Sequence, residues 1–270
     1  MGTKINIRTS SSEPLIFLPT IVNGKGPFEF VLDTGAGMTI LTEELARTLG
    51  IEKTEVKEAM GAPGRKLEVA LGTVDTLSVG DARIDKIKVG IMKDLPRCTR
   101  HGAIGYNFLK NFAVTIDYKN NTPLLALPAD RSHADYSDGG VLRLKLASPG
   151  KPIILVDAVV NDQSTHQFVL DTGASQTVVS PQLAEELQIV HADNDRLVGV
   201  GGVNRSSTGT LKSLSVGSAR LADLSVFVAD VLRPLSDVIG ARLDGILGYN
   251  FLSKFKVGID YRNEILRFQE

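Results

Sequence analysis

The sequence predicts a mainly β protein of two tandem lobes related by an internal pseudo-twofold axis, with short helices only. Three observations carry this expectation. Short apolar or alternating runs broken by Gly, Pro and Asn recur along the whole chain, the pattern of many brief strands joined by tight turns. The run Phe30-Val31-Leu32-Asp33-Thr34-Gly35-Ala36 returns letter for letter as Phe168-Val169-Leu170-Asp171-Thr172-Gly173-Ala174, 138 positions later. Further segments return in the same order: Leu77-Ser78-Val79-Gly80 at 214–217, Gly105-Tyr106-Asn107-Phe108-Leu109 at 248–252, and Val114 to Tyr118 as Val257-Gly258-Ile259-Asp260-Tyr261. The repeat spans nearly the whole chain and fits a doubled unit rather than a solenoid.

Taken in order, residues 1–12 are polar and serine-rich and read as a loose arm. Residues 15–22 follow as a strand or an interrupted pair, and Asn23-Gly24-Lys25-Gly26-Pro27 is a turn. The strand 28–32 breaks at Asp33 into a turn whose glycine supplies the backbone freedom. A helix over 42–51 follows, with Thr42 as N-cap, Glu43 and Glu44 at its positive end, and Gly50 as its stop. Residues 55–71 read as a hairpin with the glycine-rich tip Gly61-Ala62-Pro63-Gly64, and short strands continue over 76–80, 84–89, 90–92, 113–118 and 124–127. The polar, non-periodic stretch 129–140 reads as a linker, which gives an N-terminal lobe over 13–128 and a C-terminal lobe over 141–270. In the second lobe the helix returns behind Ser180 and Pro181, and the lobes differ mainly by a small insertion near 233–244.

Bulk properties exclude more than they assign. The 270 residues carry 30 basic and 31 acidic side chains, so no global charge favours nucleic acid or an anionic membrane. No stretch approaches the roughly 18 apolar residues that a membrane helix needs. The start Met1-Gly2-Thr3-Lys4-Ile5-Asn6 has no apolar signal segment. A natural start there implies a cytosolic protein, and a trimmed one an exported protein. The single cysteine, Cys98, sits in no motif and reads as structural or incidental. His101, His133, His166 and His191 show no metal-ligand spacing, so neither metal nor cofactor is expected.

The chemistry resides in the doubled turn. Two carboxylates held within hydrogen-bonding distance cannot both ionise easily and share one proton. The ionised member takes a proton from water while the protonated one donates to the carbonyl under attack, which hydrolyses an amide without metal or covalent intermediate. Asp33 and Asp171 are the candidate acid and base. Thr34 and Thr172 can cross-brace the turns, and Gly35 and Gly173 permit close approach, with Ala36 and Ala174 completing the support.

Asp-Thr-Gly-Ala twice, each behind an apolar strand, resembles the retropepsin-like aspartic proteases in a single-chain, fused two-lobe form. The second hallmark of that family, two apolar residues and a glycine before a helix, matches Ala103-Ile104-Gly105 and Ile246-Leu247-Gly248. The resemblance implies two acid-protease β-barrel lobes, endopeptidase activity at Asp33 and Asp171, and a peptide or protein substrate. It also implies activity as a monomer, because one chain supplies both aspartates. Two flaps would close over an extended substrate, with Gly61, Ala62 and Gly64 at one tip and Val200, Gly201 and Gly202 at the other. Gly37 stands where Ser175 stands in the other lobe, so the two aspartates have unequal surroundings.

Asp117 and Asp260 are also paired by the repeat, but each closes an alternating strand and reads as a turn-holding residue. The glycines near 199–202 lack the third glycine of a dinucleotide fingerprint, since Asn204 stands in its place. The competing functional reading is a catalytically silent or substrate-restricted protease-like module that binds or regulates a partner.

Overall fold

The computed structural model describes residues 2–4, 8–10, 13–61, 65–93, 95–120, 122–126, 140–148, 150–199 and 202–270. The expected linker therefore lies outside the described residues apart from Gly140. The first lobe runs β1 (Gly2–Lys4), β2 (Arg8–Ser10), β3 (Glu13–Val22), β4 (Lys25–Leu32), β5 (Ile40–Thr42), α1 (Glu43–Leu49), β6 (Glu55–Gly61) and β7 (Arg65–Val79). It continues with β8 (Ala82–Met92), β9 (Gly102–Ile104), α2 (Tyr106–Leu109), β10 (Ala113–Asp117) and β11 (Thr122–Ala126). The second runs β12 (Val141–Arg143), β13 (Lys145–Ser148), β14 (Lys151–Val160), β15 (Ser164–Leu170), β16 (Val178–Val179), α3 (Pro181–Glu186) and β17 (His191–Gly199). After it come β18 (Gly202–Val216), β19 (Ala219–Val228), α4 (Arg233–Ile239), β20 (Gly245–Leu247), α5 (Tyr249–Leu252), β21 (Lys256–Asp260) and β22 (Ile265–Gln269).

Each lobe is an eight-stranded sheet with the same strand order, β2-β3-β4-β9-β5-β8-β7-β6 in one and β13-β14-β15-β20-β16-β19-β18-β17 in the other. An extra pairing, β3 with β7 or β14 with β18, folds each sheet back on itself. The protein is thus mainly β with two tandem retropepsin-like lobes. A third sheet, β1-β11-β10-β21-β22-β12, takes three strands from each half. Its central pair is antiparallel, with Thr115 opposite Gly258, Ala113 opposite Asp260 and Asp117 opposite Lys256. Since Gly258 is the counterpart of Thr115 in the repeat, the pseudo-twofold axis passes through this pair.

The core follows from alternation along the central strands. Phe30 and Leu32 point into the main core with Ile104, Phe108 and Leu109, and Phe168, Leu170, Leu247, Phe251 and Leu252 do the same in the second lobe. Val114, Ile116, Val257 and Ile259 of the shared sheet make this one continuous core. Val31 faces the other way onto Leu15, Phe17 and Ala103. These strands read as unbroken apolar runs because both faces are buried.

The helix ends behave as the sequence predicts. Thr42 Oγ1 accepts from Leu45 N at 3.3 Å, and Gly50 closes α1 at φ 69°. Ser180 Oγ accepts from Leu183 N at 3.1 Å, with Pro181 in the first turn of α3.

Three expectations change. Residues 2–4 and 8–10 are not a loose arm: β1 pairs with β11 and β2 with β3. An edge strand is held by backbone hydrogen bonds and needs no apolar pattern, which is why its polar sequence concealed it. The pieces read separately over 65–80 form one 15-residue strand, β7, which pairs with β6 at its start and with β3 and β8 beyond. Residues 15–22 are likewise one strand with an irregularity between Thr20 and Val22.

The insertion near 233–244 contains α4, whose Leu235 and Ile239 pack against an apolar cluster that includes Ile153, Leu155, Val169 and Val178. Among the described residues the first lobe has no such α-helix, only a 3-10 turn over Arg97–Thr99, beside which the Arg100 guanidinium lies 4.0 Å over the Phe17 ring and pairs with Glu29. Among the described residues no helix is long and apolar enough to cross a membrane.

Candidate active site

β4 is exposed at Lys25 and fully buried by Phe30, so its end is delivered into the protein's centre; β15 does the same from Ser164 to Leu170. Parallel pairing fixes both exits. Leu32 lies opposite Ile104 and Leu170 opposite Leu247, and the next residue's N–H donates back, Asp33 to Ile104 O and Asp171 to Leu247 O, each at 3.1 Å. The two acids thus leave equivalent strand ends toward the same axis.

The two threonines tie these exits together reciprocally. Thr34 Oγ1 donates to Leu170 O at 2.9 Å and accepts from Thr172 N at 3.0 Å. Thr172 Oγ1 donates to Leu32 O at 2.8 Å and accepts from Thr34 N at 3.1 Å. Each hydroxyl serves the opposite lobe, and both threonines are 1% exposed, so no water competes for these bonds.

The glycines explain the closeness of the carboxyls. A Cβ on Gly35 would lie 2.8 Å from Asp171 Cγ, and one on Gly173 would lie 2.7 Å from Asp33 Cγ. Only a residue without a side chain lets each turn back directly onto the other lobe's acid. The carboxylates are steadied locally as well: Ala36 N donates to Asp33 Oδ1 at 2.9 Å and Gly173 N to Asp171 Oδ1 at 2.8 Å. The carbonyls of Ala36 and Ala174 accept from Tyr106 N and Tyr249 N, which fastens each turn to the helix behind it.

Burial and mutual charge govern the protons. Desolvation raises the Asp33 carboxyl well above its ordinary range, and the Asp171 charge adds to the rise against the pull of the Ala36 and Gly35 N–H groups. Asp171 is raised too, again chiefly by burial. Such a pair holds one proton between two oxygens over a wide pH range.

Residues that sequence reasoning passed over hold the outer part of each turn. Asn107 Oδ1 accepts from Thr39 N at 2.7 Å, Asn107 Nδ2 donates to Lys88 O at 2.7 Å, and Thr39 Oγ1 accepts from Gly105 N at 3.2 Å. Asn250, Thr177, Ser225 and Gly248 repeat the arrangement. The signal was present, because both asparagines sit inside the repeated Gly-Tyr-Asn-Phe-Leu segment.

The tyrosines of the same repeats meet across the lobes. Tyr106 stacks edge-on against Tyr261 at 5.2 Å and Tyr118 against Tyr249 at 5.5 Å. Burial pushes the Tyr118 and Tyr261 phenols far above their usual value, with the dyad's charge contributing at both.

The hairpin strands β6–β7 and β17–β18 are present, with Gly61 opposite Arg65 and Gly199 opposite Gly202. Of the candidate flap residues, Gly61 and Gly202 end their strands, whereas Ala62, Gly64, Val200 and Gly201 lie outside the described residues. Asp117 and Asp260 stand apart from the dyad, and each carboxylate caps its own turn, on Asn120 and Asn263 respectively. Cys98 is exposed.

DNA damage-inducible protein 1 of Kluyveromyces lactis is 27% identical over 119 residues, which cover 44% of this chain and 27% of that protein. The chain therefore corresponds to little more than a quarter of that relative's length. A family model described as aspartyl protease matches residues 18–108 and again residues 156–251, one match in each lobe and together well over half of the chain. The chain belongs to the aspartyl protease family.

Proposed function

We propose that the protein is an aspartic endopeptidase in which Asp33 and Asp171 activate a water between them and hydrolyse a peptide bond. The observation that carries the reading is the reciprocal backing of each carboxyl by the opposite lobe's glycine, so close that a Cβ on either would lie 2.7 to 2.8 Å from the facing carboxyl carbon. That arrangement brings two acids to one point on a symmetry axis, the requirement for sharing a proton. The ionised acid takes a proton from the water as it attacks the carbonyl carbon. The protonated one donates to the carbonyl oxygen, and collapse of the tetrahedral species passes a proton to the departing nitrogen. The role of Thr34, Gly35, Ala36, Thr172, Gly173 and Ala174 is to hold this geometry.

The substrate lies extended beneath the hairpins β6–β7 and β17–β18, whose glycine-rich tips close over it. A single chain supplies both acids and acts as a monomer.

The test is cleavage of a diverse peptide library across about pH 3 to 8 by wild type, Asp33→Asn and Asp171→Asn. Cleavage by wild type alone, unaffected by chelators and blocked by a statine-type mimic, is the expected result. Equal cleavage by both asparagine variants would overturn the mechanism. A folded wild type that cuts nothing would favour the silent or substrate-restricted alternative.

A further inference from the structure

The second lobe carries a chain of polar side chains that the aspartic site does not use. Ser164 Oγ lies 2.6 Å from His166 Nε2, and His166 Nδ1 lies 3.3 Å from Asp244 Oδ2. The Asp244 side chain is 7% exposed and that of His166 11%, while Ser164 itself is exposed. The buried acid is oriented in its turn. Arg242 Nε donates to Asp244 Oδ1 at 2.5 Å, and the rest of that guanidinium is held by both oxygens of Glu186 at 2.8 and 2.9 Å. The Asp244 backbone is fixed on both sides, its N–H donating to Gln167 O and its carbonyl accepting from Ser180 N, each at 2.8 Å.

This hierarchy sets the tautomer. With Asp244 accepting from Nδ1–H, the lone pair of the neutral imidazole sits on Nε2 and faces the serine hydroxyl. An acid orienting a histidine that in turn contacts an exposed hydroxyl is the activated-nucleophile arrangement, which is defined by geometry rather than by fold.

The constellation is peculiar to one lobe. In the first lobe Gly26 and Phe28 occupy the places of Ser164 and His166, and His101 that of Asp244. It is also remote from the dyad. Ser164 begins β15 and Asp171 follows its end, so the usual strand rise separates them by about 23 Å.

We propose that Ser164, His166 and Asp244 form a second, serine-type acyl-transfer site that acts on small activated esters. Ser164 Oγ bonds to the ester carbonyl carbon while its proton passes to His166 Nε2. Collapse breaks the bond to the leaving oxygen, which takes that proton. A water then gives its proton to Nε2 and attacks the acyl-serine, breaking the Oγ–carbon bond, releasing the acid and restoring the hydroxyl. Ser164 and His166 are the catalytic residues, and Asp244 and Arg242 are positioning residues. The open setting of the hydroxyl suits a short acyl group on an aryl leaving group.

The experiment treats the full chain with p-nitrophenyl acetate and, separately, with a fluorophosphonate probe, and follows p-nitrophenol release and intact mass. The expected result is a single phosphonyl adduct on the peptide containing Ser164. Ester turnover should fall at least about ten-fold in Ser164→Ala and in His166→Gln, and should be unchanged in Asp33→Asn, which separates this site from the aspartic one. Because Ser164 is exposed, Ser164→Ala should fold normally, as judged by circular dichroism. Equal turnover in that variant, labelling at another residue, or no labelling of folded wild type would each overturn the proposal.

Discussion

Replacing Thr172 by Val removes a hydroxyl while keeping the side chain's shape, and the structure specifies what is lost. Leu32 O forfeits its donor at 2.8 Å and Thr34 N its acceptor at 3.1 Å. Both orphaned groups lie where Thr34 and Thr172 are 1% exposed, so water cannot replace the partner. At about 1 to 3 kcal/mol for each buried group left unpaired, the loss is roughly 4 kcal/mol. For a chain of this size that lowers Tm by roughly 8 to 16 °C. Thr172→Ser keeps both bonds and sheds one methyl, for about 1 kcal/mol. The protein contains no tryptophan, so the assay is thermal unfolding followed by circular dichroism or calorimetry. If the valine variant melts no lower than the serine variant, the cross-lobe hydroxyl bonds do not stabilise the fold and the reasoning fails.

Gly35→Ala places a Cβ 2.8 Å from Asp171 Cγ and forces the acids apart, so peptide cleavage should fall by about a hundred-fold or more, measured as kcat/KM. Stability should depend on pH in a fixed direction. Both dyad carboxyls are raised in the folded protein, so their contribution is fully present below the ordinary carboxylate range and is lost as pH rises through the raised values. Asp33→Asn should therefore flatten the decline of Tm between about pH 5 and about pH 9, and an unchanged slope would contradict the shared-proton account. Asn250→Ala strips partners from Thr177 N and Ser225 O and should cost about 2 kcal/mol in urea unfolding, with a parallel effect for Asn107→Ala.

What the sequence revealed was what it wrote twice. The acids, the bracing threonines and the permissive glycines form a local string, so their meeting could be inferred from repetition alone. The acceptors of the threonine hydroxyls, Leu170 O and Leu32 O, were not legible, because a backbone carbonyl bears no side-chain signature and its availability depends on which strands neighbour it. Strand β1 was hidden because backbone pairing at an edge tolerates Gly, Thr and Lys. Helix α4 has no side-chain cap at its start, so its segment read only as an insertion, although Pro234 lies in its first turn and Gly240 closes it in the left-handed region. The sequence showed only that His166 lacks metal-ligand spacing, because its partners, two residues before it and 78 after, converge only once β15 and β20 align.

The strand pair at the centre of the shared sheet has a consequence for any half of this chain standing alone. With Thr115 opposite Gly258 on the symmetry axis, β10 presents a self-complementary edge. A fragment ending after β11 would expose that edge as an unpaired ladder, a template for another backbone in the same direction and register. The natural occupant is a second copy of itself, Thr115 facing Thr115, which would bring two Asp33 side chains to the place that Asp33 and Asp171 share. The covalent link between the halves thus fixes which partner each edge meets, and it lets the two sides accumulate different residues without having to fit themselves.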